Sequence, residues 1–518
     1  MVVGAVVVVV AAIVVIVKSG RREPVLSGVA SDAKVRIPVG GGVSLTAEVV
    51  TPRGPGRFPL VVMPTSWGSD VTEYHGLAGV LARDGYQVVT YVQRGFHQSG
   101  GQADFAGPPT RRDVSTVIDW AVKHTRGDVT HVGLFGTSYG AGISLLAAAR
   151  DPRIKVVVAT SGWADFGDVF AGNDTVSSAA LGALLGAVTK SGRPADALAG
   201  MAATLRSSRP ADAAAQLRSM SPIRSADREI AALNRNQPAI MLASAYQDSV
   251  LPPLSLISFF DRLKGPKRLQ LAPGEHGAPE SAGLSGRPNA VTDQAHEWLD
   301  HHLKGEANGI APAVQFTDTV THAVTQYAKW PVASARVLLG RPDGATPAAS
   351  AAAKTWTQAI SGGTDTTADA VPGSSGPNGA YHPASIRLNQ FDTAHGVYWT
   401  RDPVAANTVL DGAPRLSLSV SASTGSASLF TYLYDVDADG RASLMSATPY
   451  TVTGAMAGPK RISFDLGPIG WTLAQGHRLA LVIDTVDPRW AGVTPPGSTV
   501  RFSSAAAAPA TLTLPLSS

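Results

Sequence analysis

One serine in this sequence stands in a setting that could make its hydroxyl a nucleophile. Ser138 is the centre of Gly-Thr-Ser-Tyr-Gly at 136–140, the only Gly-x-Ser-x-Gly pentapeptide in the chain. The apolar residues 132–135 before it predict a short buried strand, and the Ala/Leu-rich residues 141–150 after it predict a helix. A serine at a sharp strand-to-helix turn presents its hydroxyl at the carboxyl edge of a sheet, where it can attack an acyl carbon. A chance turn would lack these flanking elements.

A serine hydroxyl needs a base within hydrogen-bond reach, and the base needs an acid that orients it. In sheets that carry such a turn, the acid and the histidine follow the serine in chain order. Asp248 follows the apolar residues 239–245, and His276 lies in the turn Pro-Gly-Glu-His-Gly after the strand-like residues 267–272. We therefore predict Asp248 as the acid and His276 as the base. Asp165 is the alternative acid because it also follows a predicted strand.

The remaining histidines and one glutamate fit these roles less well. His131 precedes the serine's strand and therefore lies at the opposite edge of the sheet. His301 and His302 belong to an amphipathic segment that is typical of a surface helix. Glu275 is next to His276 in sequence, but a sequence neighbour rarely faces the Nδ1 atom of the ring.

A negative charge develops on the substrate oxygen during acyl transfer, so the site also needs hydrogen-bond donors. We expect the backbone N–H of Tyr139 to be one donor, because it opens the predicted helix. The second donor is expected from Ser66 or Trp67, in the loop after the first predicted parallel strand. Losing one such donor typically costs about 3–4 kcal/mol of transition-state stabilisation, so this loop should be rigid.

The composition describes a globular chain that is long enough for more than one packed unit. The chain has 518 residues, of which 44% are hydrophobic and 16% charged, so two or three units are expected. The net charge is +4 with Lys and Arg scattered along the chain, which gives no support for a nucleic-acid partner. The chain has no cysteine, which excludes disulfides, thiol nucleophiles and cysteine-based metal sites.

The N-terminus carries a continuous apolar run from Val2 to Val17, followed by Lys18, Arg21 and Arg22. A buried strand of that length would be unusual, so residues 1–17 predict a signal or anchor segment. We therefore expect an exported or membrane-anchored protein in preference to a cytoplasmic one. The orientation stays open, since the positive charges follow the apolar run.

Between the N-terminal run and about residue 310, short apolar segments alternate with helical patterns. Strands of this kind, separated by helices, predict a mostly parallel sheet covered on both faces. The alternating residues of 34–50 predict antiparallel strands at its edge. We expect the first part of this core at 34–164 and the second part at 237–310. The intervening residues 165–236 have small-residue helical patterns and predict a cap above the site.

Residues 311–518 have a different pattern, with short alternating strands separated by turn residues. They predict an antiparallel sandwich or jelly roll, with an irregular linker or long loop over 345–380. Residues 435–440 match the start of a calcium-binding loop, but the position of its closing glutamate is Ser446. An Asp/Gly hairpin turn explains this stretch better.

These motifs together resemble the cocaine-esterase-like and X-Pro dipeptidyl-peptidase-like serine hydrolases. The resemblance covers nearly everything after about residue 35, and its motifs are GTSYG at 136, Arg94-Gly95 with Ser99-Gly100-Gly101, WLDHHLKGEANGI at 298, YLYDVDADGRASL at 432 and GHRL at 476. It implies an α/β-hydrolase core with an inserted helical cap and a C-terminal jelly roll beside the active site. It also implies that Ser138, Asp248 and His276 form the triad. The family often places an oxyanion-binding tyrosine after the first parallel strand, whereas this chain has Trp67 near that place.

The expected activity is therefore hydrolysis of an ester or amide acyl bond through an acyl-enzyme, with no metal or organic cofactor. The family's substrates imply a small ester or a short X-Pro peptide as the partner molecule. A dipeptidyl peptidase would need an acidic group to hold a free amine, and Asp165, Asp168 and Asp174 are available. The alternative from another class is a catalytically silent surface-binding protein that uses its jelly roll.

Overall fold

The structure is a computed structural model that describes residues 28–207, 209–331, 335–342, 355–369, 373–375, 381–454 and 458–516. Within these residues, no helix combines the length and the apolar character needed to cross a bilayer. This finding contradicts our expectation of an exported or membrane-anchored protein, which we therefore correct. The apolar run at 2–17, on which that expectation was based, lies outside the described residues.

The N-terminal part of the chain builds one large mixed sheet. Its strands are β1 Ser31–Pro38, β2 Ser44–Thr51, β3 Phe58–Pro64, β4 Gln87–Tyr91, β5 Gly127–Thr137, β6 Ile154–Thr160, β7 Ala239–Ala245, β8 Lys267–Ala272, β9 Val314–Thr317 and β10 Val324–Tyr327. The sheet has ten strands in the order β1-β2-β4-β3-β5-β6-β7-β8-β9-β10. The pairs from β4 to β9 are parallel, while β1, β2 and β10 join antiparallel.

Helices cover both faces of this sheet, as the all-apolar strands require. The helices outside the cap are α1 His75–Arg83, α2 Pro108–His124, α3 Tyr139–Ala148, α9 Leu254–Arg262, α10 Ser281–Leu284 and α11 Ala290–Leu299, which continues as a π-helical segment over Asp300–Lys304. The helices α1 and α11 share one buried apolar cluster, and α2, α3 and α9 share another on the opposite face. Every residue of β7 is buried, which confirms the prediction of a sheet covered on both sides.

The residues between β6 and β7 are helical, as their small-residue pattern predicted. They form α4 Phe166–Ala171, α5 Ser178–Ser191, α6 Asp196–Arg206, α7 Pro210–Met220 and α8 Ile230–Asn236. Because β6 ends at the carboxyl edge of the sheet, an insertion at this point lies over that edge.

The C-terminal part is all-β, which confirms the predicted fold class. Its strands are β11 Ala335–Leu338, β12 Trp356–Ser361, β13 Ser374–Ser375, β14 Tyr381–His382, β15 Ser385–Arg387, β16 Val397–Thr400, β17 Thr408–Gly412, β18 Arg415–Ala422, β19 Ser426–Val436, β20 Arg441–Thr453, β21 Lys460–Asp465, β22 Ile469–Leu473, β23 Arg478–Asp484, β24 Thr499–Ser504 and β25 Thr511–Leu514. A six-stranded sheet holds β11, β25, β18, β24, β12 and β21, and a five-stranded sheet holds β15, β20, β19, β23 and β16. Apolar side chains from both sheets share one buried cluster, as in a sandwich.

Two stretches of this sandwich differ from, or add to, the sequence prediction. The expected irregular linker over 345–380 contains the strand β12, which pairs with β24 because Trp356 and Ile360 bury their side chains in the sandwich. The residues that match the start of a calcium-binding loop form the β19–β20 hairpin turn, where the Asp437 carboxylate accepts N–H bonds from Asp439 and Arg441 at 3.0 and 2.9 Å.

The sandwich contacts the core and the cap beside the loop that follows β7. The Gln247 amide donates to the carbonyl of Met445 at 3.3 Å. In the cap, the Thr175 hydroxyl lies 2.8 Å from that of Thr451. These polar contacts join the sandwich to the rim where the predicted site residues lie.

The turn between β5 and α3 allows almost no space for side chains at its two glycines. A Cβ atom on Gly136 would lie 2.3 Å from the backbone of Gly140. A Cβ atom on Gly140 would lie 2.0 Å from the carbonyl oxygen of Pro64 at the end of β3. Both distances are far below van der Waals contact, so the helix approaches both strands closely only because these two residues are glycines.

Replacing Gly140 with alanine should therefore destabilise the core. We expect Gly140→Ala to lower the free energy of unfolding by about 1–3 kcal/mol, as overpacking does, and to lower the melting temperature measured by scanning calorimetry. The matched control is Gly182→Ala in α5, where an added Cβ meets no atom within 4 Å. That change should stabilise its helix by about 0.5–1 kcal/mol. A Gly140→Ala protein that melts with the wild type would contradict this account of the turn.

Candidate active site

Ser138 occupies the strained turn between β5 and α3. Its backbone angles are φ 56° and ψ −117°, a conformation that L-residues rarely adopt and that costs free energy. The turn is held by a hydrogen bond from the Ser138 N–H to the Thr160 carbonyl at 2.8 Å, which connects it to the end of β6. Ser138 is 9% exposed, so its hydroxyl lies in a nearly closed site at the carboxyl edge of the sheet.

The structure brings His276 to this hydroxyl and to Asp248. The His276 Nε2 atom lies 2.8 Å from the Ser138 Oγ, and its Nδ1 atom lies 2.8 Å from an Asp248 carboxylate oxygen. Because a carboxylate only accepts hydrogen bonds, the ring proton belongs on Nδ1. Nε2 then accepts the hydrogen bond of the serine hydroxyl, which is the tautomer a general base needs.

Asp248 is held in place from its other oxygen. That oxygen accepts N–H bonds from Val250 and Leu251 at 3.0 and 2.7 Å, in the loop between β7 and α9. The residue is 3% exposed. Asp248 therefore keeps one fixed direction toward the imidazole, with both oxygens used.

The surroundings of His276 raise its pKa above the ordinary 6.5. Burial alone would lower that pKa, but the charge of Asp248 and its hydrogen bond oppose the burial effect and outweigh it. The carboxyl groups of the buried Glu280 and the half-buried Glu275 act in the same direction as Asp248. The imidazolium form that follows proton transfer is thus stabilised by the site.

The alternative acids have other partners. Asp165 is the N-cap of α4, where one carboxylate oxygen accepts the N–H groups of Gly167 and Asp168 at 2.8 and 3.1 Å. Glu275 accepts from the N–H and the hydroxyl of Ser249 at 3.2 and 2.9 Å.

The other histidines lie elsewhere. His131 is exposed and pairs with Asp128 at 2.7 Å. His301 is exposed, but His302 is half-buried against Trp298 with ring centroids 4.2 Å apart, so the prediction of a surface position is wrong for His302. The segment Asp300–Lys304 packs against β5 and β6, and the amphipathic pattern did not show that His302 lies on the packed side.

The loop after β3 restricts which groups could bind an oxyanion. The Ser66 N–H donates to the Glu73 carboxylate at 2.8 Å, and the Trp67 indole N–H donates to the Leu184 carbonyl at 2.8 Å. The Ser66 hydroxyl donates to the Thr137 carbonyl at 2.9 Å. In the described part of the chain, the backbone N–H groups of Trp67 and Tyr139 have no acceptor. Of the expected donors, these two backbone groups remain available.

A small apolar pocket adjoins Ser138. Its walls come from the core, the cap and the loop after Asp248, and they consist of Trp67, Phe105, Tyr139, Trp163, Phe166, Phe170, Leu184, Val250 and Leu251. No charged side chain is among these wall residues. Asp165 has the capping role described above, Asp168 is exposed, and Asp174 is an exposed partner of Arg218.

Several of these residues were not foreseen in the sequence. The aromatic residues Trp163, Phe166 and Phe170 lie close together after β6, in a chain with only 6% aromatic residues. This local concentration of aromatic residues is a signal from which an apolar pocket wall could have been predicted. Glu73 had no such signal, because a single glutamate before a helix is common.

Comparison with known families matches both parts of the chain. Residues 41–278 match the X-Pro dipeptidyl-peptidase (S15 family) model. Residues 308–513 match the model of the X-Pro dipeptidyl-peptidase C-terminal non-catalytic domain. The two matches together confirm the resemblance inferred from the sequence motifs.

Solved structures with the same architecture extend over nearly the whole chain. An aminopeptidase from a marine sediment Thaumarchaeota archaeon is 17% identical, with a TM-score of 0.71 over 97% of this chain and 99% of its own. An α-amino acid ester hydrolase is 17% identical, with a TM-score of 0.70 over 96% and 98%. A CocE/NonD family hydrolase from Staphylococcus aureus is 14% identical, with a TM-score of 0.69 over 94% and 93%. At these identities the likeness establishes the fold.

Curated relatives match a shorter segment. A 31.7 kDa protein of the traX-finO intergenic region of Escherichia coli is 32% identical over 140 residues, which is 25% of this chain and 44% of that protein. The hydrolase LUC6 of Fusarium sp is 33% identical over 147 residues, 26% of this chain and 35% of its own length. The chain thus spans less than half the length of these curated relatives.

The two candidate acids can be separated by their effect on the reactivity of Ser138. We expect Asp248→Asn to slow fluorophosphonate labelling of the serine by roughly 10³- to 10⁴-fold, because the imidazole loses its orienting partner. Asp165→Asn is the matched control, since asparagine also caps helices and Asp165 has no contact with His276. Equal labelling of the two variants would contradict the assignment of Asp248.

The raised pKa of His276 should set the acid limit of this reactivity. Only the neutral imidazole accepts the serine proton, so the labelling rate should fall as the pH decreases through a midpoint above 6.5. In Asp248→Asn the midpoint should move to lower pH, because the neighbouring negative charge is gone. A pH profile of labelling measures both midpoints, and a wild-type midpoint below 6.5 would contradict the expected direction.

Proposed function

We propose that this chain, whose residues 41–278 and 308–513 match the two X-Pro dipeptidyl-peptidase family models, hydrolyses an ester or amide acyl bond through an acyl-enzyme on Ser138. The observation that carries this proposal is the unbroken hydrogen-bond chain from Ser138 through His276 to Asp248, with both distances at 2.8 Å. A serine hydroxyl in such a chain can lose its proton as it attacks a carbonyl carbon.

The proposed reaction has two halves that use the same groups. The Ser138 oxygen attacks the acyl carbon while His276 Nε2 takes its proton, and Asp248 stabilises the imidazolium that forms. The backbone N–H groups of Tyr139 and Trp67 bind the oxyanion of the tetrahedral intermediate. His276 then gives its proton to the leaving group, and a water molecule activated by His276 releases the acid and restores Ser138.

The apolar pocket favours an uncharged acyl group. The free amine of an X-Pro dipeptide is an ammonium ion near neutral pH, and burying it without a carboxylate partner costs several kcal/mol. None of Asp165, Asp168 and Asp174 is among the wall residues beside Ser138. We therefore propose that esters with an apolar or aromatic acyl group are better substrates than X-Pro dipeptides.

The cap contributes directly to this proposed pocket. Leu184 of α5 and the residues Phe166 and Phe170 of α4 line it, opposite Val250 and Leu251 of the core. We accordingly propose that residues 165–236 form a cap over a core made of 34–164 and 237–327, with the jelly roll beginning at β11 beside it. The core extends past the expected boundary at 310 because β9 and β10 complete its sheet. In this division the acyl group binds between the cap and the core.

A substrate panel tests the activity and the preference together. We expect wild-type protein to hydrolyse p-nitrophenyl butyrate and benzoate, and to act on Gly-Pro- or Ala-Pro-p-nitroanilide at least about tenfold more slowly in kcat/KM, the factor that 1.4 kcal/mol represents. Ser138→Ala is the control and should abolish turnover.

Other outcomes of the panel are equally informative. Faster cleavage of the dipeptide anilides would overturn the preference for uncharged acyl groups and leave the triad in place. No turnover, together with no fluorophosphonate labelling of wild-type protein, would instead favour a catalytically silent binding protein.

A further inference from the structure

Glu73 is a buried carboxyl group directly beneath the loop that follows β3. It is 7% exposed and lies in the 3₁₀ turn Val71–Tyr74, between that loop and α1. One of its oxygens accepts the N–H of Ser66 at 2.8 Å. No step of the acyl transfer described above uses Glu73, so its burial in this place calls for another explanation.

The residues that Glu73 holds form a tight turn. The Ser69 N–H donates to the Ser66 carbonyl at 3.2 Å, and Gly68, the third residue of the turn, has φ +77°. A four-residue turn with positive φ at its third residue is a type II turn, and glycine is favoured there. The turn's own hydrogen bond does not use the N–H of its second residue, Trp67. That N–H is one of the two free donors near Ser138.

The same turn is attached to the strand that ends at the nucleophile. The Ser66 hydroxyl donates to the Thr137 carbonyl at 2.9 Å. The Tyr74 hydroxyl accepts the Thr137 N–H at 2.9 Å and donates to the Pro64 carbonyl at 3.2 Å. Thr137 is the residue before Ser138, so these bonds set the distance between the turn and the reacting atoms.

We propose that Glu73 is a positioning residue, whose carboxylate holds the Ser66–Ser69 turn so that the Trp67 N–H faces the oxyanion formed at Ser138. This inference rests on the proposed function. A hydrogen bond from an N–H to a carboxylate is about twice as strong as one to a neutral acceptor, so an ionised Glu73 holds the turn most firmly. A donor must be correctly placed before the reaction, because its value depends on not having to reorganise.

The ionisation of Glu73 is then coupled to catalysis. Burial raises the pKa of Glu73 to about 7, although the polar groups of Ser66, Ser69 and Tyr74 beside it favour its charged form. These three groups face the carboxyl, and none of them is charged at neutral pH. His97 is the titratable group on the other side of the turn, where its Nε2 lies 2.8 Å from the Gly68 carbonyl. We expect the turn to loosen as Glu73 gains a proton below about pH 7.

The experiment compares Glu73→Ala and Glu73→Gln with wild-type protein on p-nitrophenyl butyrate. Glu73→Ala should lower kcat by about tenfold to a hundredfold with KM little changed, because the oxyanion exists only after substrate has bound. The affinity for phenylboronic acid, whose serine adduct places an oxygen where the oxyanion forms, should fall by the same factor.

Glu73→Gln provides the conservative comparison. Its amide oxygen can still accept the Ser66 N–H, but as a neutral acceptor it resembles protonated Glu73, so kcat at high pH should lie between those of Glu73→Ala and the wild type. The acid limb of kcat should change from two ionisations in the wild type to one, that of His276. This readout also decides the case if Glu73→Ala does not fold, since a purely structural role would leave the shape of the pH profile unchanged.

Glu48→Gln is the matched control. Glu48 is a buried glutamate of β2 that contacts the His75 ring at 2.8 Å and is not among the residues around Ser138. Its loss should affect stability but neither kcat nor boronate affinity. Glu73 variants with wild-type kcat, boronate affinity and pH profile, in an enzyme that is otherwise active, would overturn this inference alone. Wild-type protein that neither turns over esters nor labels with fluorophosphonate would overturn both this inference and the proposed function.

Discussion

The steric constraint at the turn between β5 and α3 governs the arrangement of the rest of the site. Gly136 and Gly140 allow the helix to approach its strand and the end of β3 at distances that no side chain would permit. Within that close contact Ser138 adopts a positive φ, and its hydroxyl is directed out of the sheet edge. The free energy of this strained conformation is offset by the buried sheet and helices around it. Because the hydroxyl has one fixed direction, groups from distant parts of the chain can be placed within hydrogen-bond distance of it.

Those groups converge because the strands that precede them are parallel members of one sheet. Ser138, Asp248 and His276 follow β5, β7 and β8, whose carboxyl ends lie at the same edge. The sheet supplies the approximate placement, and hydrogen bonds within the loops supply the final one. The Asp248 carboxylate accepts two backbone N–H bonds within its own loop, and these bonds fix its direction toward the imidazole.

The polar and apolar parts of the site have different origins. The core contributes the groups that would move protons, and the cap contributes much of the apolar wall through α4 and α5. The sandwich contacts the loop after β7 through Gln247 and the cap through Thr175. A change in the cap can therefore alter which acyl group fits while the hydrogen-bond chain stays intact. The two parts can vary separately because apolar packing is non-directional, whereas the proton-transfer groups require fixed geometry.

The sequence by itself determined the local elements and the residue types that the chemistry requires. The apolar strands, the Gly-x-Ser-x-Gly turn and the chain order were enough to predict Ser138, Asp248 and His276 as the reacting groups, because these signals depend on residue types within short windows. Only the tertiary structure decided which donors are free. In it the Ser66 N–H donates to the Glu73 carboxylate and the Trp67 indole N–H donates to the Leu184 carbonyl, so neither is free. It also placed β12 within the expected linker and gathered the aromatic wall. Such outcomes depend on contacts between residues far apart in the chain, and a local pattern carries no information about which distant partner a given donor will meet.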